Sequence, residues 1–142
     1  MPKTLVEVRR SYDADSARQI LDAVHEALVA AFRIPREDRG VRLIAHAPER
    51  FDPPDGLAHP ESYTLVTIDC FAGRSLDAKR RLYAEIAVRL AVAGIPRGHV
   101  SVIPARDPAR ELGHDRRRPR RPRRPRVRRR GVTRPAMRES TA

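Results

Sequence analysis

Residues 1–8 of the sequence read MPKTLVEV, and three of these letters occur again as Thr64-Leu65-Val66 in the second half of the chain. Both stretches are rich in β-branched residues and alternate in polarity, which is typical of short strands. A second match follows each helix-like segment, where Ile34-Pro35-Arg36 corresponds to Ile95-Pro96-Arg97. Two matches in the same order predict a duplicated β-α-β unit.

Two amphipathic segments lie between the predicted strands. Residues 17–32 place apolar side chains at three- and four-residue steps, and residues 75–93 do the same behind Ser75, a good helix-capping residue. Because each crossover must be right-handed, two such units merge into one four-stranded sheet with both helices on one face. We therefore predict the α+β fold class. We also expect self-association to bury the sheet face that the helices leave open.

The positive charge is concentrated at one end of the chain. Basic residues outnumber acidic residues by 30 to 18, a net charge of +12, but residues 1–112 contain 17 basic and 16 acidic side chains. Residues 113–142 contain 13 arginines against Asp115 and Glu139. The sequence therefore predicts a folded domain over residues 1–112 and a disordered Arg/Pro-rich tail over residues 113–142. Such a tail would bind nucleic acid only through phosphate groups, without base specificity.

Cysteine usage and hydropathy indicate a cytoplasmic protein. Cys70 is the only cysteine, so no disulfide can form within the chain, and no apolar run approaches the roughly 20 residues of a membrane-spanning helix. The five histidines are scattered without the spacing of metal ligands. We expect no metal ion, no cofactor and no membrane contact.

Pro2 is the first candidate for a catalytic group. Methionine aminopeptidase readily removes Met1 when a proline follows, and the removal would leave Pro2 as a secondary amine at the N-terminus. An unperturbed α-amine has a pKa of roughly 8, so burial or a nearby positive charge can make such a group a base at neutral pH.

Further residues give the chain a family resemblance. They are Arg36-Glu37-Asp38-Arg39 after the first helix, and Phe71-Ala72-Gly73-Arg74-Ser75 with Lys79 and Leu82-Tyr83 after the third strand. With Pro2 and the duplicated β-α-β unit, these residues resemble the tautomerase superfamily, and within it the malonate semialdehyde decarboxylase-like branch, over residues 2–107.

The resemblance implies an enzyme that uses an amino-terminal proline for proton transfer on a small keto or enol carboxylate and assembles as a homotrimer. It implies that Pro2 is catalytic, that Asp38 is the acidic residue of the site, and that Arg74 is catalytic and binds the substrate carboxylate. An arginine at the start of a helix suits an anion, because its charge, the backbone donors and the helix dipole act together. Neutral Pro2 would move a proton between carbons; cationic Pro2 would polarise a carbonyl or protonate a carbanion after loss of carbon dioxide.

Two departures from the family pattern leave alternatives open. Ala72 stands where the decarboxylases have a second arginine, which favours a general tautomerase over a decarboxylase or hydratase. The chain contains no tryptophan, although related chains are expected to close the site with a Trp-Gly segment after the last strand. One hypothesis is a catalytically impaired member whose basic tail binds nucleic acid. Another is a frameshift, because GC-rich coding DNA read out of frame yields Arg/Pro-rich sequence.

Overall fold

The computed structural model describes residues 2–69 and 73–104, so Cys70, Phe71, Ala72 and the predicted tail lie outside the described residues. A strand, a helix and a strand are followed by a second strand, helix and strand, which confirms the α+β prediction. Neither helix in this part of the chain is long and apolar enough to cross a membrane. The elements are β1 (Lys3–Val8), α1 (Ala14–Phe32), β2 (Val41–Ala45), β3 (Thr64–Asp69), α2 (Leu76–Val92) and β4 (Val100–Pro104).

Each helix begins at a side chain that suits a cap. Asp13 accepts a hydrogen bond of 2.7 Å from the backbone amide of Ser16, and Ser75 accepts one of 3.1 Å from the amide of Ala78. The bond from the Ser16 amide lowers the pKa of the Asp13 carboxyl. The stabilising contribution of this cap is therefore present above the ordinary carboxyl pKa and is lost as the pH falls through the lowered value.

β1 lies inside a four-stranded mixed sheet of strand order β2-β1-β3-β4. It runs parallel to β2, with Thr4 opposite Val41, and antiparallel to β3, with Lys3 opposite Asp69. β3 in turn runs parallel to β4. Each half of the chain thus contributes one parallel pair, and the two halves join where β1 meets β3.

One face of the sheet packs beneath both helices and the other has no cover among the described elements. On β1 the alternate residues Thr4, Val6 and Val8 are almost completely buried. The core that they join contains residues from both helices and from β3. The opposite face includes Ile44 and Ile103, which are 44% and 48% exposed. The helix-side core residues are Ile20, Val24, Leu28, Val66, Ile68, Leu82, Ile86 and Leu90.

Gly40 allows the starts of β1 and β2 to approach closely. The amide of Thr4 donates a 2.9 Å hydrogen bond to the carbonyl of Gly40, which opens the parallel ladder. A Cβ atom built on Gly40 would lie 2.9 Å from the backbone carbonyl oxygen of Pro2, closer than side-chain carbons approach in proteins. The obstacle is backbone, which cannot rotate away as a side chain can. Glycine at position 40 therefore determines how near the start of β1 lies to β2.

We predict that Gly40→Ala destabilises the protein by about 1 to 3 kcal/mol, because the added methyl group must push the two strand starts apart. Chemical denaturation of the purified variant measures the effect. Gly98→Ala is the matched control, since nothing lies within 4 Å of its Cβ position and its φ is not positive. The control should change the free energy of unfolding by no more than about 1 kcal/mol. Equal losses in both variants would contradict the steric explanation.

Candidate active site

The strand directions bring three chain segments to one edge of the sheet. Parallel β1 and β2 both begin at this edge, and antiparallel β3 ends there. α1 runs back toward the same edge, because it connects the end of β1 with the start of β2. Pro2 precedes β1, Asp38 precedes β2, and Arg74 lies between β3 and α2. The fold therefore places the chain segments of all three predicted site residues at the same end of the sheet, where β1 and β2 begin.

Pro2 lies buried at the start of the interior strand. It precedes Lys3 directly, and by strand alternation it shares the helix-facing side with Thr4 and Val6. Its carbonyl oxygen lies against Gly40, as the close approach of the strands requires. Pro2, the residue that precedes β1, is thus held in the protein interior by packing and by the parallel ladder.

Asp38 ends a tight turn two residues before Gly40. The backbone amide of Asp38 donates a 3.0 Å hydrogen bond to the carbonyl of Pro35, which closes a four-residue turn. Asp38 is half-buried, and its carboxylate makes no hydrogen bond or ion pair with the residues that the structure describes. The carboxylate of Asp38 is therefore not engaged by another side chain in the described part of the chain.

Three residues on one face of α1 hold this turn, and we call Asp22, His25 and Glu26 the α1 clamp. Glu26 pairs with Arg36 at 2.7 Å, and Asp22 pairs with Arg39. The His25 ring nitrogen Nε2 lies 2.8 Å from the backbone carbonyl oxygen of Arg36. The spacing of three and four residues along the helix places all three side chains on the same side.

The hydrogen bond of His25 contributes more to the stability of the turn than the two ion pairs of the clamp do. The side chains of Arg36 and Arg39 are 72% and 45% exposed, and ion pairs in such positions contribute about 0 to 1 kcal/mol each. His25 is only 1% exposed. Removing a buried hydrogen-bond donor leaves its acceptor unpaired, at a cost of about 1 to 3 kcal/mol.

Arg74 lies on the end of α1. Its Nη1 donates a 3.0 Å hydrogen bond to the carbonyl of Phe32, the last residue of α1, and its guanidinium carbon lies 4.8 Å from the centre of the Phe32 ring. The last turn of α1 contains no basic residue of its own. Arg74 therefore supplies the positive charge that the negative end of the helix dipole favours. Neither of these two contacts involves Pro2 or Asp38, so the structure gives Arg74 a structural role that the sequence did not indicate.

A cavity of about 500 Å³ opens beside the start of β1. Among the described residues that line it are the cations Lys3, Arg18, Arg39 and Arg42, together with Gly40. Arg39 is paired with Asp22. The cavity is thus lined by positive charge, which favours negatively charged small molecules. Its described lining includes none of the three predicted site residues, Pro2, Asp38 and Arg74. Within residues 2–69 and 73–104, no three His, Cys, Asp or Glu side chains converge into a metal-binding group.

Sequence patterns do not single out two buried polar side chains of this region. Thr4 is fully buried two residues after Pro2, and its hydroxyl has no hydrogen-bond partner in the described part of the chain. His25 has apolar helix neighbours and is easily interpreted as a packing residue. The available signal was the spacing of His25 from Asp22 and Glu26, which predicts a polar contact on one helix face.

We predict that Arg74→Ala destabilises the fold by about 1 to 2 kcal/mol, because it removes the hydrogen bond to the Phe32 carbonyl and the contact with the Phe32 ring. Urea denaturation measures the change. Arg80→Ala is the control, since Arg80 is 70% exposed and lies 3.7 Å from the Asp77 carboxylate. The control should cost no more than about 1 kcal/mol. A stable Arg74→Ala variant would show that the helix-end contact contributes little.

Comparison with known proteins relates this architecture to a family of enzymes. A family model described as tautomerase enzyme matches residues 38–111, just over half of the chain. Among solved structures, FG41 malonate semialdehyde decarboxylase inhibited by 3-bromopropiolate is 29% identical, with a TM-score of 0.66 over 74% of this chain and 82% of that chain. No curated protein gives a significant match.

Two further solved structures share the fold at lower identity. A malonate semialdehyde decarboxylase is 24% identical, with a TM-score of 0.67 over 72% of this chain and 81% of that chain. A fused 4-OT described as an asymmetric trimer is 18% identical, with a TM-score of 0.65 over 74% of this chain and 85% of that chain. The duplicated β-α-β unit, the strand order and the family match lead to one conclusion: this chain belongs to the tautomerase superfamily.

Proposed function

We propose that the chain is an enzyme that uses the amine of processed Pro2 to transfer a proton on a small keto or enol carboxylate. The observation that carries this proposal is the placement of Pro2: buried, at the start of the interior strand, and in contact with the segment that carries Asp38. A secondary amine in that position can accept or donate a proton close to neutral pH. Membership of an enzyme family supports the proposal.

The charges around Pro2 favour the role of base. Lys3 follows Pro2 directly and lines, with Arg42, the cavity beside Gly40, which contacts the Pro2 carbonyl; the third cation there, Arg39, is paired with Asp22. Positive charges disfavour the protonated form of a neighbouring amine. Asp38 has the opposite effect, and its carboxylate would stabilise the prolinium that forms when the amine takes a proton. A base flanked by cations and one carboxylate suits the transfer of a proton between two carbons of an anionic substrate.

Arg74 would bind the substrate carboxylate without leaving the end of α1. A guanidinium has five N–H donors, and the contact with Phe32 uses Nη1. The remaining donors can still form a charge-assisted pair with a carboxylate. In this proposal Arg74 is fixed by the helix end before the substrate arrives, which reduces the entropy lost on binding.

Decarboxylation is a second candidate, favoured by the 29% identity to FG41 malonate semialdehyde decarboxylase. In that reaction a prolinium would polarise the carbonyl or protonate the carbanion that remains after carbon dioxide leaves. Ala72 argues against this reaction, because the decarboxylase pattern has an arginine at that position. Residue 72 itself lies outside the described structure. Carbon dioxide release from malonate semialdehyde, measured beside enol–keto conversion of phenylpyruvate, distinguishes the two reactions.

We predict that retention of Met1 abolishes turnover while the fold stays intact, because the Pro2 nitrogen then becomes an amide that cannot transfer a proton near neutral pH. Pro2→Ala, processed to a primary amine, should keep a measurable part of the activity. Mass spectrometry confirms each N-terminus, and enol–keto conversion is recorded against pH. The rate of the processed form should rise through one ionisation near neutrality if Pro2 is a base. Full activity of the Met1-retaining form would disprove the proline mechanism.

The proposed enzyme is a homotrimer that covers the open sheet face. Ile44 and Ile103 are exposed there, and a stable partner surface would remove both from water. Fused 4-OT structures of the same fold are described as trimers.

We predict that Ile103→Arg converts the trimer to monomers, because the open face would have to bury an unpaired charge. Sedimentation velocity at micromolar concentration measures the change. Val92→Arg is the control, since Val92 is 87% exposed at the end of α2, on the helix side of the sheet. The control should remain trimeric. A wild-type monomer, or trimers in both variants, would contradict the proposed interface.

A further inference from the structure

We propose that His25 is a positioning residue that sets the orientation of the Asp38 turn; this inference rests on the proposed role of Asp38. His25 is buried to 99% in α1, and Nε2 lies 2.8 Å from the carbonyl oxygen of Arg36. Arg36 is the second residue of the turn that begins at Pro35 and ends at Asp38. A buried side chain of the helix thus binds the peptide group in the middle of the turn.

The partner of His25 determines where its proton lies. A backbone carbonyl oxygen only accepts hydrogen bonds, so Nε2 must carry the hydrogen that forms this contact. The Nε2–H group is therefore the donor of this bond, and the Arg36 carbonyl is the acceptor. The contact needs no charge on the ring and no change of protonation.

The peptide between Arg36 and Glu37 controls the direction of the following residue. Turn types differ chiefly by the orientation of this central peptide, and a flip of the peptide changes the backbone angles on both sides. Binding of the Arg36 carbonyl by His25 selects one orientation. Asp38 follows Glu37 directly, so its carboxylate direction depends on that selection.

The other contacts of the turn do not act on the Arg36 carbonyl. The amide of Arg39 donates a 2.9 Å hydrogen bond to the carbonyl of Glu37, one peptide group farther along the chain. The Glu26–Arg36 and Asp22–Arg39 pairs hold side chains that are mostly solvent-exposed on the arginine side, and long side chains can keep such pairs while the peptide rotates. The bond from the Asp38 amide to the Pro35 carbonyl closes the turn but is compatible with more than one turn type. Among the described contacts, the His25 bond acts directly on the central peptide.

The first test measures hydrogen exchange by NMR and needs no substrate. His25→Leu and His25→Asn remove a donor at the Nε2 position, whereas His25→Gln carries an amide nitrogen that reaches about as far. We expect exchange of the Asp38 amide to rise about tenfold or more in the first two variants and to stay near wild type in His25→Gln. The amide of Ile95, which is fully buried in the second half of the chain and donates a 2.9 Å hydrogen bond to the carbonyl of Leu90, reports global stability as the internal control. Equal acceleration at Asp38 and Ile95 would overturn the proposal.

The second test asks whether His25 acts through Asp38. His25→Leu should lower kcat/KM about tenfold or more in the wild-type background, since misplacement of a reacting group is costly. In the Asp38→Asn background the same change should cost little further, because the positioned group is already gone. Additive losses in the double variant would mean that His25 acts independently of Asp38, and the proposal would be wrong.

The two tests separate this inference from the proposed function. If processed Pro2 and Asp38 are needed for turnover but His25→Leu leaves both kcat/KM and Asp38 exchange unchanged, only the positioning role fails. If Asp38→Asn is fully active, the proposed role of Asp38 fails, and the inference fails with it even where exchange shows that His25 holds the turn. If His25→Leu speeds exchange of the Asp38 amide, and if its effect on kcat/KM is not additive with that of Asp38→Asn, the results support both the positioning role of His25 and the proposed role of Asp38.

Discussion

The contact between Gly40 and the carbonyl of Pro2 is the constraint on which the site depends. Parallel β1 and β2 start at the same edge, and glycine lets their first residues approach without a side chain between them. This contact places the Pro2 end of β1 beside the segment of Asp38. It also buries Pro2 under the helix layer, where water is scarce and a neighbouring charge acts strongly.

The length of α1 explains why a clamp is needed. Its 19 residues extend about 28 Å, whereas the six residues of β1 extend about 20 Å. The helix therefore projects past the edge at which β2 must begin, and residues 33–40 run back along it. Asp22, His25 and Glu26 bind this returning segment, and Arg74 covers the projecting end at Phe32. One helix thus positions both the acidic and the basic candidate of the site.

Much of the fold could be predicted from local patterns, because hydrophobic periodicity and capping residues act over short distances. The strands, both helices and the cap at Ser75 follow from such signals, and the repeated letters predicted the duplicated unit. The contact of Arg74 with Phe32 could not be predicted, since it joins residues 42 positions apart. His25 was missed for a related reason: its spacing from Asp22 and Glu26 indicates a polar contact but not the partner, which is a backbone carbonyl 11 residues away.

Because of the duplication, the two ends of the sheet at which strands begin are similar. A physical difference explains why only one of these ends is the candidate site. At the edge where β3 begins, Thr64 follows Tyr63 in a continuous chain, so its nitrogen is an amide and cannot transfer a proton. The arginines also differ: Arg9 binds the carbonyls of Pro48 and Pro60 at that edge, and Arg10 stacks on Tyr12, whereas Arg74 binds the end of α1. Under the proposed function, each chain therefore has one amine-bearing edge. The second copy of the unit supplies Arg74 to it, and the first supplies Pro2 and Asp38.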